Sequence, residues 1–273
     1  MKIRSIPLLA ALLLIIVDFG VQVIFNTSEA APLATEKKGL TLERKVALLQ
    51  KEAGAGNAEA QFILGRLYLK GDGVPKDAAK AVVWFQKAAM QGNASAQYNL
   101  SGLYATGEGV LKDGAMAVVW LQKAAVNGNV DAQYVLGLMY RKGESVPKDA
   151  TKAIEWLQKS AEQGNTDAQH VIGDMYRYGP FNDPAKAFEW IQKAAAQGNI
   201  DAQVDLAVMY GNGEGVGRDL VRSYVWFSLA AAQGNELSKS FKKMTEARLT
   251  PAQRTEGQRL SSNWKKGDNL RKP

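Results

Sequence analysis

From residue 57 onward, apolar positions recur at three- and four-residue spacing in short blocks divided by glycine-bearing breaks. In the first block Ala60, Leu64, Leu67 and Tyr68 share one face, the spacing of an amphipathic helix. Asn57 before it is a good N-cap, and Gly71-Asp72-Gly73-Val74 breaks it, because glycine takes left-handed backbone angles cheaply. Asp77 then opens a second block with Ala81, Trp84, Phe85, Ala88 and Ala89 as its stripe. The pattern predicts a pair of helices. Small residues at Ala60, Gly65, Ala81 and Ala88 permit close backbone approach, and Tyr68 and Trp84 fill the space between pairs.

This pair recurs. Ala96, Leu100, Tyr104, Ala117, Trp120 and Ala124 repeat its letters, as do Ala132, Leu136, Tyr140, Ala153, Trp156 and Ala161. Gly-Asn openings stand at Gly56, Gly92, Gly128, Gly164, Gly198 and Gly234, spaced 36 residues apart except for one interval of 34. A fixed period in this range marks an array of helical units that bury their apolar faces only by stacking. The expected fold class is all-α, an α/α superhelical solenoid of stacked antiparallel helix pairs, with five repeats over 56–233. Residues 41–55 form a capping helix on the face of Leu42, Val46 and Leu49. Residues 234–266 form a divergent last repeat with a basic capping helix, and 267–273 a tail. In that last unit Thr250-Pro251-Ala252-Gln253 is a strong helix start, and Leu260 and Trp264 are placed to cover the final repeat.

Residues 1–30 stand apart. Lys2 and Arg4 precede an apolar run from Ile6 to Val17, and Ser28-Glu29-Ala30 supplies a small-residue cleavage pattern, so the segment reads as a secretory signal. The alternative joins Ile6 to Phe25 into one membrane anchor, at a cost of about 3 kcal/mol for Asp18 within the span. Both readings export the repeats, to the periplasm or medium in the first and on the inner membrane in the second. A linker over 31–40 follows.

Composition removes several chemistries. There is no cysteine, hence no disulfide, thiolate zinc site, cysteine nucleophile or lipoprotein attachment. No cofactor, metal or catalytic residue is expected. The one histidine, His170, occupies the slot held elsewhere by Phe62, Tyr98, Tyr134 and Val204, which points to packing or surface contact rather than metal ligation or catalysis. Gly211 to Gly217 looks like a phosphate loop but follows a helix instead of a strand, so it reads as the inter-helix turn. Asp72, Glu108, Glu144 and Glu214 give one loop carboxylate each, too dispersed for a calcium loop. The net charge of +7 is concentrated at the end of the chain, where residues 234–273 hold ten Lys and Arg against four Asp and Glu. That end suits an anionic lipid, polymer or acidic protein rather than nucleic acid.

The motifs A-x-x-x-L-G-x-x-Y, G-x-G-V-x-x-D, A-x-x-W and K-A-A-x-x-G, repeated in register over Gly56 to Gln233, resemble the SEL-one-like repeat family, a relative of the tetratricopeptide repeats. Two departures stand out. The fourth repeat has the shortened loop Gly179-Pro180-Phe181-Asn182-Asp183, which bears on local curvature, and the second has Ser101 where the pattern wants glycine. The resemblance implies a concave surface lined by first helices and a role as an adaptor for other proteins, often in membrane complexes, bacterial envelopes or host contact. A cysteine-rich branch of the family is linked to β-lactam binding, and this chain lacks those cysteines. A cell-wall or β-lactam-directed hydrolase is therefore the rival class, and a surface anchor using the basic end is a third.

By analogy with tetratricopeptide arrays, Phe62, Tyr98, Tyr134 and His170 form a ladder of one rung per repeat, facing a partner protein or peptide in the groove. Residues four and eight positions further on, Arg66 and Lys70, Leu138 and Lys142, Asp174 and Tyr178, flank the rungs. Aromatics beside arginine are typical anchors for a partner chain. The competing expectation is that the rings pack between helices.

Overall fold

The computed structural model describes residues 42–270. The expected export segment, linker and Thr41 helix start lie outside the described residues, as do residues 271–273 of the tail. Among the described residues there are thirteen α-helices and no strand: α1 Leu42–Gly54, α2 Ala58–Lys70, α3 Ala78–Met90, α4 Ala94–Thr106, α5 Gly114–Val126, α6 Val130–Lys142, α7 Ala150–Glu162, α8 Thr166–Tyr178, α9 Pro184–Ala196, α10 Ile200–Asn212, α11 Leu220–Ala232, α12 Glu236–Glu246 and α13 Pro251–Asn263. The fold is all-α, of the superhelical repeat class: α1 to α6 pack on their neighbours in chain order, as do α8 to α12, and α13 packs on α11. None of these helices is long and apolar enough to cross a membrane. The chain divides into two compact units, up to Trp156 and from Leu157 onward.

Helix starts are fixed by side chains. The Oδ1 of Asn57, Asn93, Asn129, Asn165 and Asn199 accepts the N3 backbone N–H of α2, α4, α6, α8 and α10 at 2.8–2.9 Å. Asp77, Asp113, Asp183 and Asp219 do the same for the second helices α3, α5, α9 and α11. Each such cap stabilises its helix by about 1 kcal/mol. At the other end, Gly71, Gly107, Gly143 and Gly213 close α2, α4, α6 and α10 in the left-handed conformation. With the start set by a side-chain cap and the end by backbone bonds, α2 to α11 are all thirteen residues long.

A buried glutamine joins consecutive pairs. Gln61, Gln97 and Gln133 in the first unit are 3–5 % exposed. Their Nε2 atoms donate to the carbonyls of Ala53, Ala89 and Ala125, each at the end of the preceding second helix, at 3.0, 2.9 and 3.1 Å. In the second unit Gln169 and Gln203 reach Ala161 and Ala195 at 3.2 Å. The amide oxygens accept in turn from the residue that closes the repeat's own second helix: Gln91 to Gln61, Asn127 to Gln97, Gln197 to Gln169 and Gln233 to Gln203, at 2.8–2.9 Å. One side chain therefore ties together three helices, with its amide satisfied at both ends.

The apolar stripes fill the remaining space. Leu64, Phe85, Leu100, Leu121, Leu136 and Leu157 are fully buried, as are Ile172, Ile191, Leu206 and Trp226. Tyr68 and Trp84, expected to fill the space between pairs, are half-buried and pack against the cluster of Leu49, Ala53, Ala60 and Leu64. Phe85 takes the central place, and the Lys87 ammonium lies 4.4 Å from the centre of the Trp84 ring, an arrangement repeated at Lys123 on Trp120 and Lys193 on Trp190. A Cβ at Gly65 would press on the Phe85 ring. In the second repeat Ser101 holds that slot and the facing position carries the shorter Leu121. The buried Ser101 hydroxyl donates to the Tyr98 carbonyl at 2.8 Å.

The inter-helix loops are also packing elements. Gly109 (φ +73) and Gly215 (φ +67) lie so close to the preceding pair that a Cβ would run into the backbone of Ala78 and Pro184 respectively. The Gly211 to Gly217 segment thus meets protein backbone where a phosphate would need open space. The shortened loop of the fourth repeat is absorbed locally. Asp183 N–H still donates to the Tyr176 carbonyl at 2.8 Å, as Asp219 does to Tyr210 at 2.9 Å, and Phe181 packs 5.5 Å from Tyr176. In the last unit the expected capping box of Thr250 and Gln253 forms, Pro251 sits in the first turn, and Trp264 meets Trp226 edge-on at 6.1 Å.

Two substitutions measure these constraints. Gln97→Leu strips the Asn127 amide of its acceptor and is expected to lower stability by about 1–3 kcal/mol in denaturant unfolding. Gly109→Ala combines a disfavoured φ with a backbone collision and is expected to cost more than about 1 kcal/mol. If either unfolds at the wild-type midpoint, the constraint it removes is not holding the pairs together.

Candidate functional site

The predicted rungs occupy different environments. In the first unit Phe62 is half-buried, 6.0 Å from Phe85 and 5.7 Å from the Arg66 guanidinium. Tyr98 and Tyr134 are buried at 9 % and 7 % exposure, and Leu138 at 7 %. Burial pushes the Tyr98 hydroxyl well above its ordinary range, with the Asp131 carboxylate adding to the shift. These three side chains pack between helices, as the competing expectation had it. Lys70 is half-buried, and Lys142 is exposed with its ammonium 3.8 Å from Glu144.

The second unit gathers its candidates into a polar chain. His170 Nε2 lies 2.7 Å from Asp205 Oδ2 and 3.8 Å from Asp174 Oδ1. The other oxygen of Asp205 accepts from Arg177 Nη1 at 2.9 Å. Arg177 then grips Glu214 with two bonds, Nε to Oε1 at 2.6 Å and Nη2 to Oε2 at 2.7 Å. Its side chain is only 3 % exposed, so this bidentate pair is screened from water on the arginine side. Tyr178 covers the guanidinium, ring centre 4.7 Å from Cζ, and is itself 69 % exposed. The repeat places these groups together: His170, Asp174, Arg177 and Tyr178 follow one another along α8, Asp205 faces them from α10, and Glu214 comes from the loop after α10.

Burial alone pulls the His170 imidazole down. The hydrogen bond to Asp205 and the charges of Asp174, Asp205 and Asp201 outweigh it and hold the ring above its ordinary value of 6.5. Nearby, burial raises the Asp167 carboxyl, while the charge of His170 and a 2.7 Å hydrogen bond from Asn199 act against it. Among the described residues, His170, Asp174 and Asp205 are the group whose ligand atoms converge enough to hold a metal ion, all within 4.8 Å of one another. Arg177 and the ring nitrogen already engage both oxygens of Asp205, so the arrangement is satisfied as an ion-pair chain.

Asp205 and Arg177 were not among the sequence candidates, and Glu214 was read only as a dispersed loop carboxylate. The available signal was a charge out of place. Asp205 stands where the other repeats have Ile63, Asn99, Val135 and Val171, and Arg177 where the first two have Leu69 and Ala105.

The Sel1 repeat family matches residues 58–93, 94–129, 130–165, 166–199 and 200–235. Two crystal structures are similar. One is c5321, described as a protective antigen present in uropathogenic Escherichia coli strains displaying an SLR fold. It is 35% identical with a TM-score of 0.73 over 81% of this chain, which spans about half (49%) of that protein. The other is a Sel1 repeat protein from Oxalobacter formigenes, 30% identical with a TM-score of 0.70, over 82% of this chain and 94% of that one. A comparison with curated proteins gives no significant match.

Two measurements test the polar chain. Because folding raises the His170 pKa, its stabilisation is complete below the unfolded value of 6.5 and is lost as pH rises through the folded value. The gap in melting temperature between wild type and His170→Asn should therefore narrow from about pH 5.5 to about pH 8.5. Arg177→Leu leaves Glu214 without its arginine and Asp205 with His170 alone, and should cost about 2–3 kcal/mol, with the two carboxylates partly rescued by water.

Proposed function

The chain belongs to the Sel1 repeat family, a family of non-catalytic scaffolds that typically mediate protein–protein interaction, and on that premise we propose that it is an exported adaptor whose first helices hold a partner protein. The observation that carries this reading is the corner at the end of α8. Tyr178 is largely exposed, its ring centre lies 4.7 Å from the buried Arg177 guanidinium, and Asp174 stands one turn before it on α8. A rigid aromatic backed by a fixed charge is the kind of surface that dominates binding energy at protein interfaces. The ring needs no ordering on binding, because Arg177 is already clamped by Asp205 and Glu214.

Export is the part of the proposal supported by sequence, through Lys2, Arg4 and the apolar run from Ile6. An envelope or host-contact setting agrees with that, and the antigen with which this chain shares 35% identity is described as a protective one. The hydrolase reading finds no support in the side chains of α8 and α10. The acidic groups there are tied to arginine and histidine.

The test is a crosslinking capture with the full chain in its own cells, read by mass spectrometry, together with Tyr178→Ala. The variant should melt within about 0.5 kcal/mol of wild type and lose its captured partner at least tenfold. Capture of no protein by the wild type, or of the same protein equally well by the variant, would sink the adaptor reading at this corner.

A further inference from the structure

The last first-type helix, α12, inverts the logic of the helices before it. Its register is fixed by Asn235, whose side chain caps it as Asn199 caps α10. Counting from these caps, the slots that hold Gln203, Leu206 and Ala207 in α10 carry Lys239, Lys242 and Lys243 in α12, while the slots of Asp201 and Asp205 carry Leu237 and Phe241. Lysine fills positions that are core elsewhere, Leu237 fills a slot that is acidic in most repeats, and Phe241 fills one that is acidic only in α10. Leu237, Phe241 and Met244, spaced for one helix face, are 69 %, 40 % and 64 % exposed. Phe241 and Met244 also line a groove of about 260 Å³ with Val208, Leu220, Phe227 and Arg248. Phe241 is held in place by stacking on Phe227 at 5.4 Å.

The charge around the groove has one sign. Glu236 is engaged by Lys239, Glu246 by Arg254 and Glu256 by Arg259. Lys242, Lys243 and Arg248 have no carboxylate within ion-pair distance among the described residues. Lys242 instead lies over the Tyr224 ring at 5.5 Å. Arg248 is the cation in the lining of this furrow, and an apolar furrow with an unneutralised arginine is complementary to an amphipathic segment with apolar anchors and acidic flanks.

We infer that α10, α11 and α12 form a docking groove for an acidic amphipathic helix of a partner protein, with one apolar side chain seated between Phe227, Phe241 and Met244. The inference rests on the adaptor reading and adds a second contact surface to it. A concave furrow shared by three helices suits an inserted side chain, whereas a bilayer presents a flat surface that would meet Leu237 and Met244 but leave Val208 and Phe227 uncovered.

The experiment titrates the full chain against a fluorescent amphipathic peptide of about 18 residues with a leucine stripe and glutamate flanks. The same peptide with lysine flanks is the control, and vesicles of phosphatidylcholine with anionic phosphatidylglycerol are tested separately. Anisotropy should report binding to the acidic peptide, weakened about tenfold by Met244→Asp or Arg248→Glu, and again on raising salt from about 0.05 to 0.3 M. Both variants change exposed side chains, and matching melting curves confirm that each is folded. Equal affinity for the two peptides, indifference to Met244→Asp, or binding to the vesicles alone would each overturn the inference. If Tyr178→Ala abolishes capture of the cellular partner while Met244→Asp spares it and the peptide, the adaptor reading survives and this groove does not.

Discussion

Each helix pair depends on one buried amide. An alanine carbonyl at the end of each second helix already accepts the N–H of the glycine that closes it, and the next repeat's glutamine donates to the lone pair that remains. The other half of that amide takes a proton from the residue that closes the glutamine's own pair. Because both bonds run through a rigid planar group, the distance from one pair to the next is set within the tolerance of a hydrogen bond. Apolar packing drives association and tolerates small slippage. The amide does not, since a shift of one position would bury it unpaired at a cost of about 1–3 kcal/mol.

Loops and polar clusters are fitted around that spacing. Gly109 and Gly215 bring loop backbone onto the preceding helix start, so the loops close the gaps that the glutamines leave open. The same proximity allows Glu214, on the loop after α10, to reach Arg177 on α8 and hold it beneath Tyr178. The fourth and fifth repeats thus exchange apolar contacts at the slots of Leu69 and Val171 for charged ones. Paired and half-solvated, these charges are not expected to add much stability. What they provide is a fixed guanidinium under an exposed ring.

Much of this was readable along the chain because it is local. Asn and Asp caps, left-handed glycines and the Thr250 capping box each act within a few residues, and the period multiplied the signal. The glutamines escaped notice because a polar side chain reads as surface until its distant carbonyl is known. Trp84 was legible by its size as a filler between pairs, but its depth was not: Phe85, one position round the helix, is the fully buried ring, and Lys87 covers the indole at the edge. The rung slot shows where sequence pattern stops. Phe62, Tyr98, Tyr134 and His170 share a repeat position, yet two are buried, one is half-covered and one is hydrogen-bonded to a residue 35 positions away. Equivalence in sequence fixes where a side chain starts, and its neighbours on the adjoining pair decide where it ends.

The glutamine bonds also bear on how such a chain can change length over evolutionary time. Each repeat presents a donor to the pair before it and the second lone pair of an alanine carbonyl to the pair after it. An inserted or deleted 36-residue cassette, as unequal recombination produces, leaves every donor facing an acceptor of the same kind. The interior can therefore grow or shrink without a new interface having to be invented. The series stops where Lys239 replaces the glutamine, because an ammonium has protons to give and no lone pair with which to receive the closing bond.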